Sequence, residues 1–275
     1  MIRASWIRLL TCAVIFGGTA AALAQPPAPG SGIIGIAHIA LRASDVDKEV
    51  AFLGKLGFEE AFTSILGANA LEVFVKVNDR QFIEVYSRTD KSQPLGWMHV
   101  CFEAGDLNAL QKFYASTDLN PTPVKKASAG NLLSTVKDPS GNVVEFTQYM
   151  PGSRHTLDKG QHLGADRISD AIIGYVMPVR EPTVMRNFYA GLGFEAEDAG
   201  NAVHLTTPGA PDLRVEIRQA VAGSRPQILF PVPDARKAAD QLRREGVDAN
   251  RQDKIVFVRD EDGNSFVLLE TGSKD

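Results

Sequence analysis

The sequence predicts an α+β fold built from paired β-α-β-β-β units, two units to a domain and two domains in tandem. Three observations predict it. Phe52-Leu53-Gly54-Lys55-Leu56-Gly57-Phe58-Glu59 recurs 136 residues later as Phe188-Tyr189-Ala190-Gly191-Leu192-Gly193-Phe194-Glu195. Asp138-Pro139-Ser140-Gly141-Asn142 recurs as Asp260-Glu261-Asp262-Gly263-Asn264. Within the first copy, His38, Asp45, Phe52 and Glu84 recur as His99, Asp106, Phe113 and Glu145, every one at an offset of 61. Repetition on this pattern divides the chain into one domain at 33–150, a polar connector at 151–169 and a second domain at 170–272.

The elements follow in order. Residues 1–24 read as an address rather than as structure. Arg3 and Arg8 are their only charges, an apolar run spans Leu9 to Gly17, and Ala22-Leu23-Ala24 before Gln25 fits the small-x-small rule of signal peptidase. The expectation is cleavage after Ala24, a periplasmic or secreted chain and no stable membrane insertion, with 25–32 as a flexible lead-in. Ile36–Leu41 and Met98–Phe102 read as strands. Val46, Val50, Leu53 and Leu56 fall on one helical face, as do Leu107, Leu110, Phe113 and Tyr114. Asp45, Asp106 and Asp234 stand where N-caps are wanted, Pro182 suits a first turn, and Gly57, Gly193 and Gly246 suit helix ends. Further strands are expected at Leu71–Val77, Gln81–Tyr86, Ser134–Lys137 and Val143–Gln148.

Composition narrows the function classes. The chain has 275 residues, 44% apolar and 23% charged, which is ordinary for a globular protein. Its formal charge is −4 and no Lys/Arg block is dense enough to track a phosphate backbone, so nucleic acid is not an expected partner. Of 2 Cys, Cys12 lies in the leader, which leaves Cys101 without an intrachain partner. Two copies in one chain lean towards a monomer, with a dimer as the alternative.

Four residues carry the chemical signal. A lone His on a strand is ordinarily a hydrogen-bonded structural residue, and a lone Glu ordinarily faces solvent. His38 and His99 each lie on the first strand of a unit, and Glu84 and Glu145 near the end of the last. If two units pack about a pseudo-two-fold axis, two imidazoles and two carboxylates meet around it. That set suits one divalent cation and leaves positions for water or substrate. Alternation and proximity in sequence add Arg42, Tyr86, Cys101 and Tyr149 as candidate substrate contacts. In the second copy Gly174, Gln227 and Val267 stand where His38, His99 and Glu145 stand in the first, and only Glu216 matches Glu84, so 170–272 is expected to hold no metal. His155 and His162 are expected to be solvated in the connector, and His204 has no partner spacing.

These residues resemble the vicinal oxygen chelate superfamily, which includes glyoxalase I, bleomycin-resistance proteins, methylmalonyl-CoA epimerase and extradiol dioxygenases. The matching segments are Ala37-His38-Ile39-Ala40, Leu56-Gly57-Phe58, Ile83-Glu84-Val85, Met98-His99-Val100 and Lys137 to Phe146. The resemblance implies metal ligation by His38, Glu84, His99 and Glu145 and a cofactor of one divalent metal ion: Zn, Ni, Co, Mn or Fe. It implies a small-molecule substrate and glyoxalase I-like lyase or isomerase chemistry, in which Glu84 or Glu145 moves a proton beside a chelated carbonyl. Two alternatives stay open. An extradiol ring-cleavage dioxygenase would use His38, His99 and Glu145, against which stand the crowding by Glu84 and the lack of a further pocket His in 100–150. A non-catalytic binding or resistance protein would sequester a small molecule.

Overall fold

The computed structural model describes residues 32–67 and 70–271; the expected leader and all but the last residue of the lead-in lie outside the described residues. The first unit runs β1 (Ile33–Ala43), α1 (Val46–Lys55), β2 (Glu59–Leu66), β3 (Ala70–Asn78) and β4 (Gln81–Ser87). The second runs β5 (Gly96–Ala104), α2 (Leu107–Ala115), β6 (Lys125–Lys126), β7 (Leu132–Lys137) and β8 (Val143–Gln148). The connector contains α3 (Arg154–Leu157). The second copy repeats the plan as β9 (Gly174–Val179), α4 (Pro182–Gly191), β10 (Glu195–Ala199), β11 (Ala202–Thr207) and β12 (Ala210–Gln219), then β13 (Gln227–Val232), α5 (Ala235–Arg244), β14 (Ala249–Gln252), β15 (Ile255–Arg259) and β16 (Ser265–Glu270).

Local chemistry sets the boundaries. The Asp45, Asp106 and Asp234 carboxylates accept from the backbone N–H three residues on and so start α1, α2 and α5. Glu181 makes no such cap, and Pro182 opens α4 with its preset φ. Gly57, Gly193 and Gly246 take φ of 82°, 93° and 74° beyond the helix ends.

Each copy forms one eight-stranded sheet, in the order β2-β3-β4-β1-β5-β8-β7-β6 and its counterpart β10-β11-β12-β9-β13-β16-β15-β14. The units meet where β1 and β5 run antiparallel, while β1–β4 and β5–β8 are parallel. Alternation splits each sheet into two faces. Ile39, Leu41, Val100 and Phe102 point to the helix-covered face, where they join one apolar core with Tyr175, Met177, Phe230 and Phe266 of the second copy. Trp97 and Phe102 rings meet Tyr175, Phe58 meets Phe230, and Phe52 meets Phe266. The Tyr114 hydroxyl donates to Leu192 O at 3.0 Å. The two copies therefore fold back to back and share their interior, and the opposite face of the first sheet is left to form a site.

The connector is not the solvated strand-to-strand link that its polarity implies. Lys76, on β3 among Val75 and Val77, is buried, and its ammonium donates to Asp158 O, Asp158 Oδ2 and Gln161 O at 2.6, 2.8 and 2.8 Å. Arg154 donates to Thr63 O at 2.9 Å and lies 4.3 Å over the Phe62 ring. These bonds strap α3 to the edge of the first sheet. His155, expected in solvent, is buried as a result. His162 stays half-exposed beside Asp158, and His204 is exposed on β11, 3.6 Å from Glu216.

Candidate metal centre

The site follows from the strand register. His38 lies opposite Cys101 and Ala40 opposite His99, so a pseudo-two-fold axis passes between β1 and β5 at Ile39 and Val100. Glu84 pairs with Ala40 and Glu145 with Cys101, each two residues past the histidine of its own unit. All four side chains share one face. The small residues Ala40 and Cys101 lie between them and leave room for two imidazoles and two carboxylates.

The side chains are less symmetric than the backbone. His38 Nε2 lies 3.1 Å from His99 Nε2 and 3.4 Å from Glu145 Oε1, and His99 Nε2 lies 3.8 Å from Glu145 Oε2. Ligands about 2.1 Å from a first-row cation stand roughly 3.0–3.4 Å apart. The two imidazole nitrogens and the Glu145 carboxylate therefore fit one divalent ion, and all three converge within 4.8 Å of one another. Glu84, expected as a fourth ligand, stands outside this group. Its Oε1 sits 3.0 Å from His38 Nδ1, on the far side of the ring, and Tyr86 Oη donates to its Oε2 at 3.1 Å. A carboxylate there fixes the tautomer and orientation of a ligating imidazole.

Electrostatics match that arrangement. Burial alone would lower the His38 pKa, but the carboxylates of Glu84, Glu145 and Glu72 together outweigh it and hold the imidazole above its usual range. Burial would raise Glu84, but contact with His38, joined by the charges of His99 and His155, brings it below its usual range. Burial and the neighbouring His38 push His99 down to about 3. Burial also lifts Glu145 to about 7.

A cleft of about 350 Å³ opens over the cluster. Leu66 of β2 and Lys125 of β6 both line it, so the sheet curls from edge to edge around the site. Tyr86 and Tyr149 lie in its wall. Tyr149 spends its hydroxyl on Arg80 O at 2.8 Å. Two expected contacts do not reach the cleft. Arg42 instead donates to Pro94 O at 3.1 Å and is not among the residues that line the cleft. Cys101 is fully buried, and burial keeps its thiol protonated.

Two residues escape a reading of the sequence by spacing. Glu72, on β3, lines the cleft and bonds Tyr86, and burial with the nearby Glu84 lifts it to about 7. Its signal was the alternation of Glu72, Phe74 and Lys76 against Val73, Val75 and Val77. His155 also lines the cleft, caged edge-on by Phe62, Phe74 and Phe82. Met150 N donates to Asn131 Oδ1, which turns the Asn131 amide nitrogen to His155 Nδ1 at 2.9 Å. Burial lowers His155 to about 4, so at neutral pH its proton is on Nε2, which has no hydrogen-bond partner among the described residues.

The second copy keeps the register and loses the donors. Gly174 pairs with Leu229, Glu216 with Val176, Gln227 with Val176, and Val267 with Leu229, the same relations that the four site residues hold. A Cβ at Gly174 would stand 1.7 Å from Arg214 O, so no histidine fits there. Glu216 is taken up by Arg218.

Residues 35–146 match the model of the Glyoxalase/Bleomycin resistance protein/Dioxygenase superfamily. No curated protein matches the chain by sequence. Among solved structures, the 2,3-dioxygenase LapB from Pseudomonas sp. KL28 superposes with a TM-score of 0.64 at 14% identity, over 88% of this chain and 94% of that one. A Mn(II)-bound glyoxalase from Novosphingobium aromaticivorans gives 0.62 at 15% identity, over 86% and 82%. An extradiol ring-cleaving dioxygenase from B. fuscum gives 0.64 at 14% identity, over 90% and 74%. At these identities the likeness is one of fold.

Proposed function

We propose, from the match of residues 35–146 to the glyoxalase/bleomycin resistance protein/dioxygenase superfamily, a divalent-metal-dependent enzyme of that kind acting on a small substrate with two neighbouring oxygens. The observation that carries the reading is the convergence of His38, His99 and Glu145, of which His38 and Glu145 line the cleft. A bound divalent ion would act there as a Lewis acid, offsetting negative charge on a substrate oxygen.

The chain's own groups supply the rest. His38 and His99 hold the ion, and Glu84 orients His38. Glu84 also borders the cleft without belonging to the donor group, and a carboxylate that is not a ligand of the ion is the group we assign to take a proton from carbon beside a chelated carbonyl. Tyr86 holds that carboxylate in place. This is lyase or isomerase chemistry of the glyoxalase type. Export after cleavage at Ala24, a monomeric state and a metal-free, site-shaping second copy belong to the same proposal.

Extradiol ring cleavage is the second reading, favoured by two observations. Glu84 turns to His38 and so does not crowd the donor group, and His155 is a further histidine among the residues that line the cleft.

The test is metal analysis of the chain recovered from the exported fraction, beside His99→Ala and Glu145→Ala. Near one transition metal per chain, lost in both variants, is expected. No metal after loading with each candidate ion would leave a binding protein. Deuterium wash-in from D2O into hydroxyacetone or a methylglyoxal hemithioacetal would support proton transfer. Oxygen uptake with catechol would support ring cleavage.

A further inference from the structure

The two copies meet along two seams that the repeat makes equivalent, and one of them is acidic. At the first, α4 of the second copy faces the turn from Asp138 to Asn142, and the Asp138 charge acts on Tyr189. At the second, α1 of the first copy faces the turn from Asp260 to Asn264. There Ser44 N donates to Asp262 Oδ2 at 2.7 Å, and Lys48 pairs with Glu261 at 3.3 Å. The offset of 136 puts Glu49 in the place of Met185. Glu261 and Asp262 stand where the other turn has Pro139 and Ser140.

The substitution of acid for apolar packing is costly. Met185 is 2% exposed and joins the shared apolar core. Glu49 is 4% exposed, and its Oε1 takes no hydrogen bond. Charges from Asp260, Asp262 and Glu261 act on it, and all are negative. A buried carboxyl without a counter-charge opposes folding, and the other seam closes without one. The turn does not need Glu49 either. Asp260 Oδ1 accepts from Asn264 N at 2.7 Å, as Asp138 Oδ1 accepts from Asn142 N at 2.8 Å, so each turn is closed by its own aspartate.

Glu49 faces an opening. With Asp260, Glu261 and Asp262 it lines a cavity of about 340 Å³, whose basic residues Lys48, Lys55 and Arg259 are all exposed. No imidazole or thiol of a described residue lines it, and carboxylate oxygens suit a hard cation. Among the described residues only the His38 group closes to within 4.8 Å. The wider spacing at the seam leaves room for water in the shell of a large ion.

We propose that this seam binds one hard divalent cation of the calcium class, with Glu49, Asp260 and Asp262 as its carboxylate ligands and water completing the shell. The ion lies between the copies and ties α1 of the first to the β15–β16 turn of the second. It is separate from the cleft, and the open sheet face of the second copy still holds no metal. Without the ion, a proton takes its place on Glu49.

The test is equilibrium dialysis of the EDTA-stripped full chain against radioactive calcium at pH 8. Thermal unfolding is run beside it, with and without about 5 mM CaCl2 at matched ionic strength. One calcium per chain is expected, with a rise in Tm of about 4 °C or more. Mg2+ should bind about 10-fold or more weakly, because it gives up its water shell reluctantly. Glu49→Met, which copies the other seam, should keep or raise the Tm of the calcium-free chain and abolish both uptake and the calcium response. Asp262→Asn, which keeps an oxygen for Ser44 N, should weaken uptake and decides the matter if Glu49→Met does not fold. His99→Ala should leave uptake unchanged. No calcium on the parent, uptake that survives Glu49→Met or is untouched by Asp262→Asn, or uptake lost in His99→Ala would each overturn the inference. Equal uptake of Mg2+ would overturn the calcium class.

Discussion

Glu84 and Glu145 occupy equivalent places in the two units, yet the structure gives them different work. Glu145 closes on the shared Nε2 position, and Glu84 holds the other nitrogen of His38. Glu84→Gln should therefore weaken metal affinity by about 10–100-fold and leave one ion per chain at saturation. Glu145→Gln should abolish stoichiometric binding. Competition against a chelating dye checks both, and an equal loss in the two variants would put Glu84 among the ligands. The convergence of His38, Glu84, His99 and Glu145 was legible in the sequence, because equal offsets within two like units must map onto one axis. The division of labour between the carboxylates was not, since it depends on side-chain torsion about a symmetric backbone. His155 was illegible for another reason. Its burial is imposed by Asn131 and three phenylalanines from distant strands, and no local pattern around Ser153-Arg154-His155 encodes them.

Among the elements, α3 and its flanks show how a polar segment can be structural. Read alone, Pro151 to Ser169 has neither period nor apolar face, and it passes for a linker. The clue lay elsewhere, in Lys76 on the inner face of an apolar strand, which has to find anions or carbonyls when buried. It finds Asp158 and Gln161, and so pins the segment that carries His155. Lys76→Met would leave Asp158 Oδ2 and the Asp158 and Gln161 carbonyls without their shared donor and free the connector. A loss of about 3–5 kcal/mol in urea denaturation is expected, with new protease cleavage between 151 and 169. Undiminished stability would show that the strap carries no weight. The strands and helix caps were legible, because Asp caps and apolar alternation act over a few residues. The two-residue β6 was not, and it exists only through pairing with β7.

In the molecule as a whole, the seam between the copies is mostly aromatic, with one acidic exception. Glu49 of α1 is buried against the Asp260 turn, and burial, then the Asp260 charge, lift it from 4.5 to about 9. Ser44 N donates to Asp262 Oδ2 at 2.7 Å in the same seam. At neutral pH Glu49 is therefore protonated in the folded chain. Because the folded pKa is the higher one, the folded state holds the extra proton, and stability falls as pH rises from about 4.5 to about 9. Glu49→Gln, which cannot ionise, should flatten that decline in thermal unfolding followed from pH 6 to pH 9.5. An unchanged slope would remove Glu49 as its source. The tandem repeat was plain in the sequence. Back-to-back docking was not, because a repeat fixes what each copy is and says nothing of which faces meet.

The pseudo-two-fold axis through Ile39 and Val100 has a stereochemical consequence. A planar chelate on such an axis presents its two enantiofaces to equivalent backbone positions, so the strand framework by itself cannot choose between them. Handedness must come from what breaks the symmetry: the His38-bound Glu84 on one side, and the connector that brings His155 to one wall only. In this chain one of those two breaks in symmetry comes from a segment outside both repeats.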